Sequence, residues 1–328
     1  MKNILNAIPS QVVLYTVSLL ISLVAGKILI PVLHKLKFGQ TVREEGPQSH
    51  KVKTGTPTIG GLIFLLPVLI FGIIFGIADA RILAPVLTTF GFALIGFLDD
   101  YLKIIRKHNE GLTPRQKMIG LLLVSGAFTW YAVTYVPEAS TLVLPFLGLD
   151  KPVSLPLIIA IPFSIFMLIA STNAVNLTDG LDGLAGSVTT IVLLFFTIVS
   201  MFNSQWDYIR IFCAVLAGGI LGFLAYNLYP AKVFMGDTGA LALGGALASI
   251  AILTGTSIFL GIAGIIYVVE TLSVIIQVAY FKRTARRVFL MAPLHHHFEH
   301  KGWSEIKVVT IFTLVTIAAS VLALILLR

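Results

Sequence analysis

The runs LPLIIAIPFSIFMLIAS (155–171), TNAVNLTDGLDGL (172–184) and AGSVTTIVLLFFTIVSMFN (185–203) follow one another without interruption. Two apolar stretches, each about long enough to cross a hydrocarbon core of ~30 Å as a helix, enclose a polar turn with two asparagines and two aspartates. Backbone within lipid must satisfy its own hydrogen bonds, which leaves helices or closed barrels. Neither run shows the short apolar–polar alternation of a barrel strand. An all-α polytopic integral membrane protein follows.

The pattern repeats along the chain. Ten spans are expected, over residues 11–33, 57–78, 82–98, 117–136, 155–171, 185–203, 209–226, 238–254, 257–281 and 305–327, forming a single membrane domain (1–328) with catalytic cytoplasmic loops. Composition agrees: 57% of the 328 residues are hydrophobic and 12% charged, whereas a soluble domain carries about a quarter charged residues. Residues 1–11 lack the apolar core and small-residue cleavage site of a secretory leader. Cys213, the single cysteine, has no partner for an internal disulfide.

A net charge of +8 raises the question of nucleic acid. Its distribution argues against that partner and for membrane lipid, because the positive charge is divided among short loops between apolar spans. Lys35, Lys37, Arg43, Lys51 and Lys53 follow span one; Lys103, Arg106, Lys107, Arg115 and Lys117 follow span three. Lys232 follows span seven, and Lys282, Arg283, Arg286, Arg287 and Lys301 follow span nine. Those loops share one side and hold sixteen of the twenty-three lysines and arginines, whereas the opposite loops add little beyond Arg81, Lys151 and Arg210. The basic side is expected to be cytoplasmic, with both termini outside.

The unusual polar residues fall on that same side. Asp99 and Asp100 end span three; Asn173, Asn176, Asp179 and Asp182 follow span five; Asn227 and Asp237 bracket the loop before span eight; His295, His296, His297 and His300 lie in the last basic loop. Adjacent carboxylates at a helix C-terminus oppose its dipole, and a divalent cation held by carboxylate oxygens accounts for them better than capping does. Asp237, before Thr238 and Gly239, suits either a helix N-cap or a site where backbone amides meet an anion, with Gly236 and Gly239 permitting close approach. The glycines of 173–186 suit tight helix packing, but four amide and carboxylate side chains there require an aqueous cavity. Three consecutive histidines point in different directions and have poor spacing for zinc. Glu270, at membrane depth, is open to a functional role or a helix-packing hydrogen bond, and it stays outside the expected catalytic set. Acidic ligands, basic loops and a glycine-flanked helix start together describe a magnesium-dependent phosphoryl-transfer site.

The segments GTPTIGG (55–61), DDYLK (99–103), NAVNLTDGLDGLAG (173–186), VFMGDTGALALGG (233–245) and APLHHHFEHKGW (292–303) resemble the phospho-N-acetylmuramoyl-pentapeptide transferases, in order and over nearly the whole chain. Ile59 and Ala240 are conservative departures from that pattern. The resemblance implies transfer of a phospho-sugar from UDP-N-acetylmuramoyl-pentapeptide to undecaprenyl phosphate with Mg²⁺, in the bacterial cytoplasmic membrane, by a chain that forms a homodimer. It further implies that Asp237 binds the metal and that Asp99, Asp100, Lys103 and His295 are catalytic. Lys53, Thr58, Asn173, Asn176, Asp179, Asn227, Phe234, Gly236 and His296 would meet the nucleotide or diphosphate. Two alternatives stay open: an N-acetylglucosamine-1-phosphate transferase, against which PLHHHFE (293–299) argues, and a secondary transporter, against which the one-sided acids and the absence of matching halves argue.

Overall fold

The computed structural model describes residues 10–36, 55–106 and 110–327. Among these, twelve α-helices and one two-stranded hairpin occur. The helices are α1 (Ser10–Lys35), α2 (Leu62–Ala78), α3 (Leu83–Arg106), α4 (Pro114–Tyr135), α5 (Leu157–Thr178), α6 (Leu184–Val199), α7 (Asp207–Asn227), α8 (Gly236–Leu253), α9 (Ser257–Ala263), α10 (Ile265–Thr284), α11 (Leu294–His300) and α12 (Glu305–Leu326). Nine helical stretches among the described residues are long and apolar enough to span a membrane, and α2 is a shorter apolar helix beside them. The chain is a multi-pass membrane protein.

Helix α8 is the axis of the bundle. Every residue from Thr238 to Leu253 is buried, because GALALGGALASIA offers side chains small enough for neighbours to approach on all sides. A methyl placed on Gly96 of α3 would lie 2.1 Å from the Asp237 carbonyl oxygen, and one on Gly244 of α8 would lie 2.4 Å from Thr172 Cα of α5. These contacts hold the end of α3, the start of α8 and the end of α5 together. Gly96→Ala is therefore expected to cost about 1–3 kcal/mol through overpacking and to lower activity by driving Asp237 from the α3 carboxylates. Thermal unfolding in detergent checks the first effect, with Gly126→Ala, which meets nothing within 4 Å, as the neutral control.

Four expected boundaries change. Helix α5 runs past residue 171 to Thr178, so Asn173 and Asn176 stand within the helix and not after it. Helix α3 does not stop at the aspartates but runs on to Arg106, which places Lys103 one turn beyond Asp99. The second span begins at Leu62, not 57, because residues 57–61 pair with the segment before α8. Phe234 N–H donates to Pro57 O at 2.8 Å, Gly60 N–H to Phe234 O at 2.8 Å and Gly61 N–H to Met235 O at 3.0 Å. Ile59 within that strip has φ +70°, a strained conformation for a β-branched residue. The ninth span is broken at Gly264 into α9 and α10. Beyond the break α10 buries only Ile266, Tyr267, Glu270 and Ser273, and its remaining faces leave the bundle.

The hairpin, β1 (Thr141–Leu142) against β2 (Val153–Ser154), closes the far end. Val143 N–H donates to Gly255 O just past α8, and Phe146 N–H to Leu326 O of α12. Asp237 opens α8 at the other end, about 27 Å away at 1.5 Å per residue.

Candidate active site

Four helix termini meet where α8 begins. The capping box of α4, with Thr113 and Gln116 bonded reciprocally, sets the first turn that carries Lys117. Asp99, Asp100 and Asp237 offer carboxylate oxygens that all lie within 4.8 Å of one another. Asp99 and Asp100 are each only 3% exposed.

Each carboxylate has different partners. Asp100 serves the start of α8: Thr238 N–H and Oγ1–H donate to its Oδ2 at 2.9 and 2.7 Å, and Asp237 N–H donates to Oδ1 at 3.2 Å. The capping role open to Asp237 is thus filled across the helix interface by Asp100, whose charge also complements the helix dipole. Asp237 is left free to gather cations. Lys117 Nζ lies 2.8 Å and Lys103 Nζ 3.3 Å from its Oδ2, while Asn176 Nδ2 donates to Oδ1 at 2.8 Å. Asp99 pairs with Lys103 at 2.6 Å and accepts the Leu112 N–H at 2.8 Å. Gly111 makes that loop possible, since a methyl there would meet Asp99 Oδ1 at 2.6 Å.

Gly236 has φ +73°, and a methyl on it would lie 2.5 Å from Asp100 Oδ2 and 2.7 Å from Thr58 Oγ1. It therefore admits Asp100 and Thr58 to the helix start. The turn after α5 stands beside this cluster. Asp179 caps α5, accepting no helical role beyond its N–H bonds to Val175 O and Asn176 O. Burial holds its carboxyl well above the usual carboxylate range, and the charges of Asp237, Asp100 and Asp182 push the same way. Asp182 accepts the Ala231 N–H at 2.9 Å, and its own N–H donates to Glu305.

The three histidines diverge, as their spacing predicts. His295, 1% exposed, faces Glu270; His296 Nδ1 lies 2.8 Å from Glu299 Oε2; His297 Nδ1 accepts the Leu290 N–H at 3.1 Å.

Residues 82–255 match the model of the family described as Glycosyl transferase family 4. Over 321 residues the chain is 53% identical to a phospho-N-acetylmuramoyl-pentapeptide-transferase of Acetivibrio thermocellus, covering 98% of this chain and 96% of that protein. A protein of the same name from Clostridium perfringens is 51% identical over 310 residues, with 94% of this chain and 96% of that protein covered. One from Clostridium acetobutylicum is 49% identical over 315 residues, covering 95% and 98%. The chain belongs to this transferase family.

Within this transferase fold the expected site residues separate into groups. Asp99, Asp100, Lys103, Asn176, Gly236, Thr58 and Asp237 converge. Asn173 instead bonds back to Ile169 O of its own helix at 2.8 Å. Asn227, 2% exposed, spends its amide on backbone, accepting from Gly183 N–H and donating to Val233 O. Phe234 is half-buried, with its backbone in the 57–61 pairing. Lys53 lies outside the described residues.

Lys117 also joins the site; it reads in the sequence as a loop charge, although a cation in a helix's first turn opposes the dipole and signals an acidic partner. The depth of Glu270 is legible in the sequence, but its partner, twenty-five residues away, is not.

Proposed function

We propose that this chain transfers phospho-N-acetylmuramoyl-pentapeptide from its UDP conjugate to undecaprenyl phosphate, forming lipid I and UMP for peptidoglycan synthesis. The observation that carries this reading is the gathering of Asp99, Asp100, Asp237, Lys103 and Lys117 at one end of the spanning helices, in a chain related to the named transferases over almost its whole length. A site at the helix ends suits one substrate dissolved in water and another anchored in lipid. Loop charge supports placing it on the cytoplasmic side of the bacterial inner membrane.

The donor set fits Mg²⁺, being three carboxylates with oxygens in mutual reach. Asp237 would be the principal ligand, because its partners Lys103 and Lys117 are side chains that can move, whereas Asp100 is committed to the fixed N–H groups of α8. Bound there, the ion would neutralise diphosphate oxygens and polarise the phosphorus.

The chain's own residues supply the rest. Lys103 and Lys117 hold negative phosphate oxygens once the diphosphate enters, and they stabilise charge that builds on the leaving UMP. Asp99 takes the proton of undecaprenyl phosphate. The acceptor's phosphate oxygen then bonds to the β-phosphorus while the bond from that phosphorus to the bridging oxygen breaks, and UMP departs with the electron pair. Asn176 keeps Asp237 oriented throughout.

The test is UMP release by the purified protein in detergent, with no ion gradient, supplied with Mg²⁺, undecaprenyl phosphate and either UDP-N-acetylmuramoyl-pentapeptide or UDP-N-acetylglucosamine. Release is expected with the first donor only, and chelation of divalent cations is expected to abolish it until Mg²⁺ is restored. Absence of release from either donor would favour transport; release from the second alone would assign the sister activity.

A further inference from the structure

The apolar depth of α10 holds a carboxylate both of whose oxygens meet one histidine. Glu270 is fully buried, and His295 is 1% exposed. The His295 backbone N–H donates to Glu270 Oε1 at 3.1 Å, and His295 Nδ1 lies 3.2 Å from Oε2. On the other side of the ring, Nε2 is buried and has no hydrogen-bond partner among the described residues. It rests on Gly180, in the turn beside Asp179, where a methyl would lie only 2.2 Å from it. Orphaned buried polar atoms are uncommon and costly, and each calls for a missing partner. Which imidazole nitrogen carries the proton is set by the bond the other one makes.

We propose that Glu270 is a positioning residue that fixes His295 in the Nδ1–H tautomer, so that Nε2 is held as a hydrogen-bond acceptor for an O–H or N–H group of the nucleotide-sugar substrate. This rests on the transferase reading above. Oε1 must accept, because a backbone N–H only donates; a carboxylate can then accept at Oε2 as well. With Nδ1–H bound to it, the lone pair falls on Nε2, facing the Asp179–Gly180 turn. Gly180 carries no side chain to stand over Nε2.

The near-isosteric substitution Glu270→Gln separates this role from packing. A carboxamide has one acceptor oxygen, which the His295 backbone N–H claims, so its NH₂ must donate to Nδ1. That arrangement drives the imidazole proton to Nε2 and replaces the acceptor with a donor.

The experiment uses the full chain in lipid with nitrogen-15-labelled histidine, the His295 resonances being assigned by their loss in His295→Gln. The wild type is expected to show protonated Nδ1 and bare Nε2, and Glu270→Gln the reverse. Glu270→Gln is further expected to lower kcat/KM for the nucleotide sugar about 10- to 100-fold, the usual cost of mispairing a buried polar group, and to add nothing in the His295→Gln background. A wild-type ring protonated at Nε2, or at both nitrogens, overturns the proposal whether or not Glu270→Gln folds. So does wild-type kcat/KM in a folded Glu270→Gln protein. If the wild type releases no UMP at all, the transferase reading has failed, and the wild-type spectrum still decides the tautomer.

Discussion

Asp237→Asn is expected to lower the rate of UMP release by about 10³-fold or more, on the scale of losing a principal electrostatic centre. Three side chains converge on this carboxylate: Lys103 and Lys117 at Oδ2 and Asn176 at Oδ1. An asparagine keeps the shape but not the charge. It would leave two ammonium groups facing a neutral amide, and a divalent cation bound as proposed would lose the Asp237 carboxylate. The start of α8 does not depend on the Asp237 side chain, since Asp100 bonds the first N–H groups. The variant should therefore elute and melt as a folded protein. Turnover within tenfold of wild type would remove Asp237 from the centre of the reaction.

Asp99→Asn is expected to cost about 10² to 10⁴ in kcat, the range for losing a general base. Its geometry should survive, because an amide oxygen can still accept the Leu112 N–H that now bonds Oδ1. What disappears is the proposed proton acceptor and the 2.6 Å ion pair with Lys103. The loss should persist across the whole pH profile of kcat, since no titration restores a base to asparagine. Near-normal turnover at every pH would sink the role assigned here. A labelled phospho-sugar trapped on the protein would instead make one aspartate a covalent nucleophile and replace direct attack.

These two aspartates illustrate how far the sequence could be read. Apolar length placed ten spans; nine helical stretches among the described residues are long enough to cross, the second is the shorter α2, and the ninth is broken at Gly264. Asp99 and Asp100 looked like the end of span three because hydropathy falls there, yet helical hydrogen bonding continues to Arg106. Gly60 and Gly61 looked like part of a span, but their N–H groups bond the strip before α8 instead. Hydropathy reports the solvent a segment prefers; it does not report which partner satisfies a backbone group.

The same distinction governs the site. That Asp99, Asp100, Asn176, Asp179 and Asp237 lie at one end follows from the chain alone, because each sits at a span terminus and spans alternate in direction. The family motifs then supply their chemistry. How the carboxylates divide their work depends on contacts between residues more than a hundred positions apart: Asp100 with Thr238, and Lys117 with Asp237. Close approach at Gly96 and Gly244 sets those contacts, and helix-to-helix distance is a property of packed side chains that no local pattern encodes. Sequence thus determined the succession of apolar helices, the clustering of acids and the class of reaction. Tertiary packing alone decided that Asp100 caps α8, that Asp237 gathers the lysines, and that Glu270 holds His295.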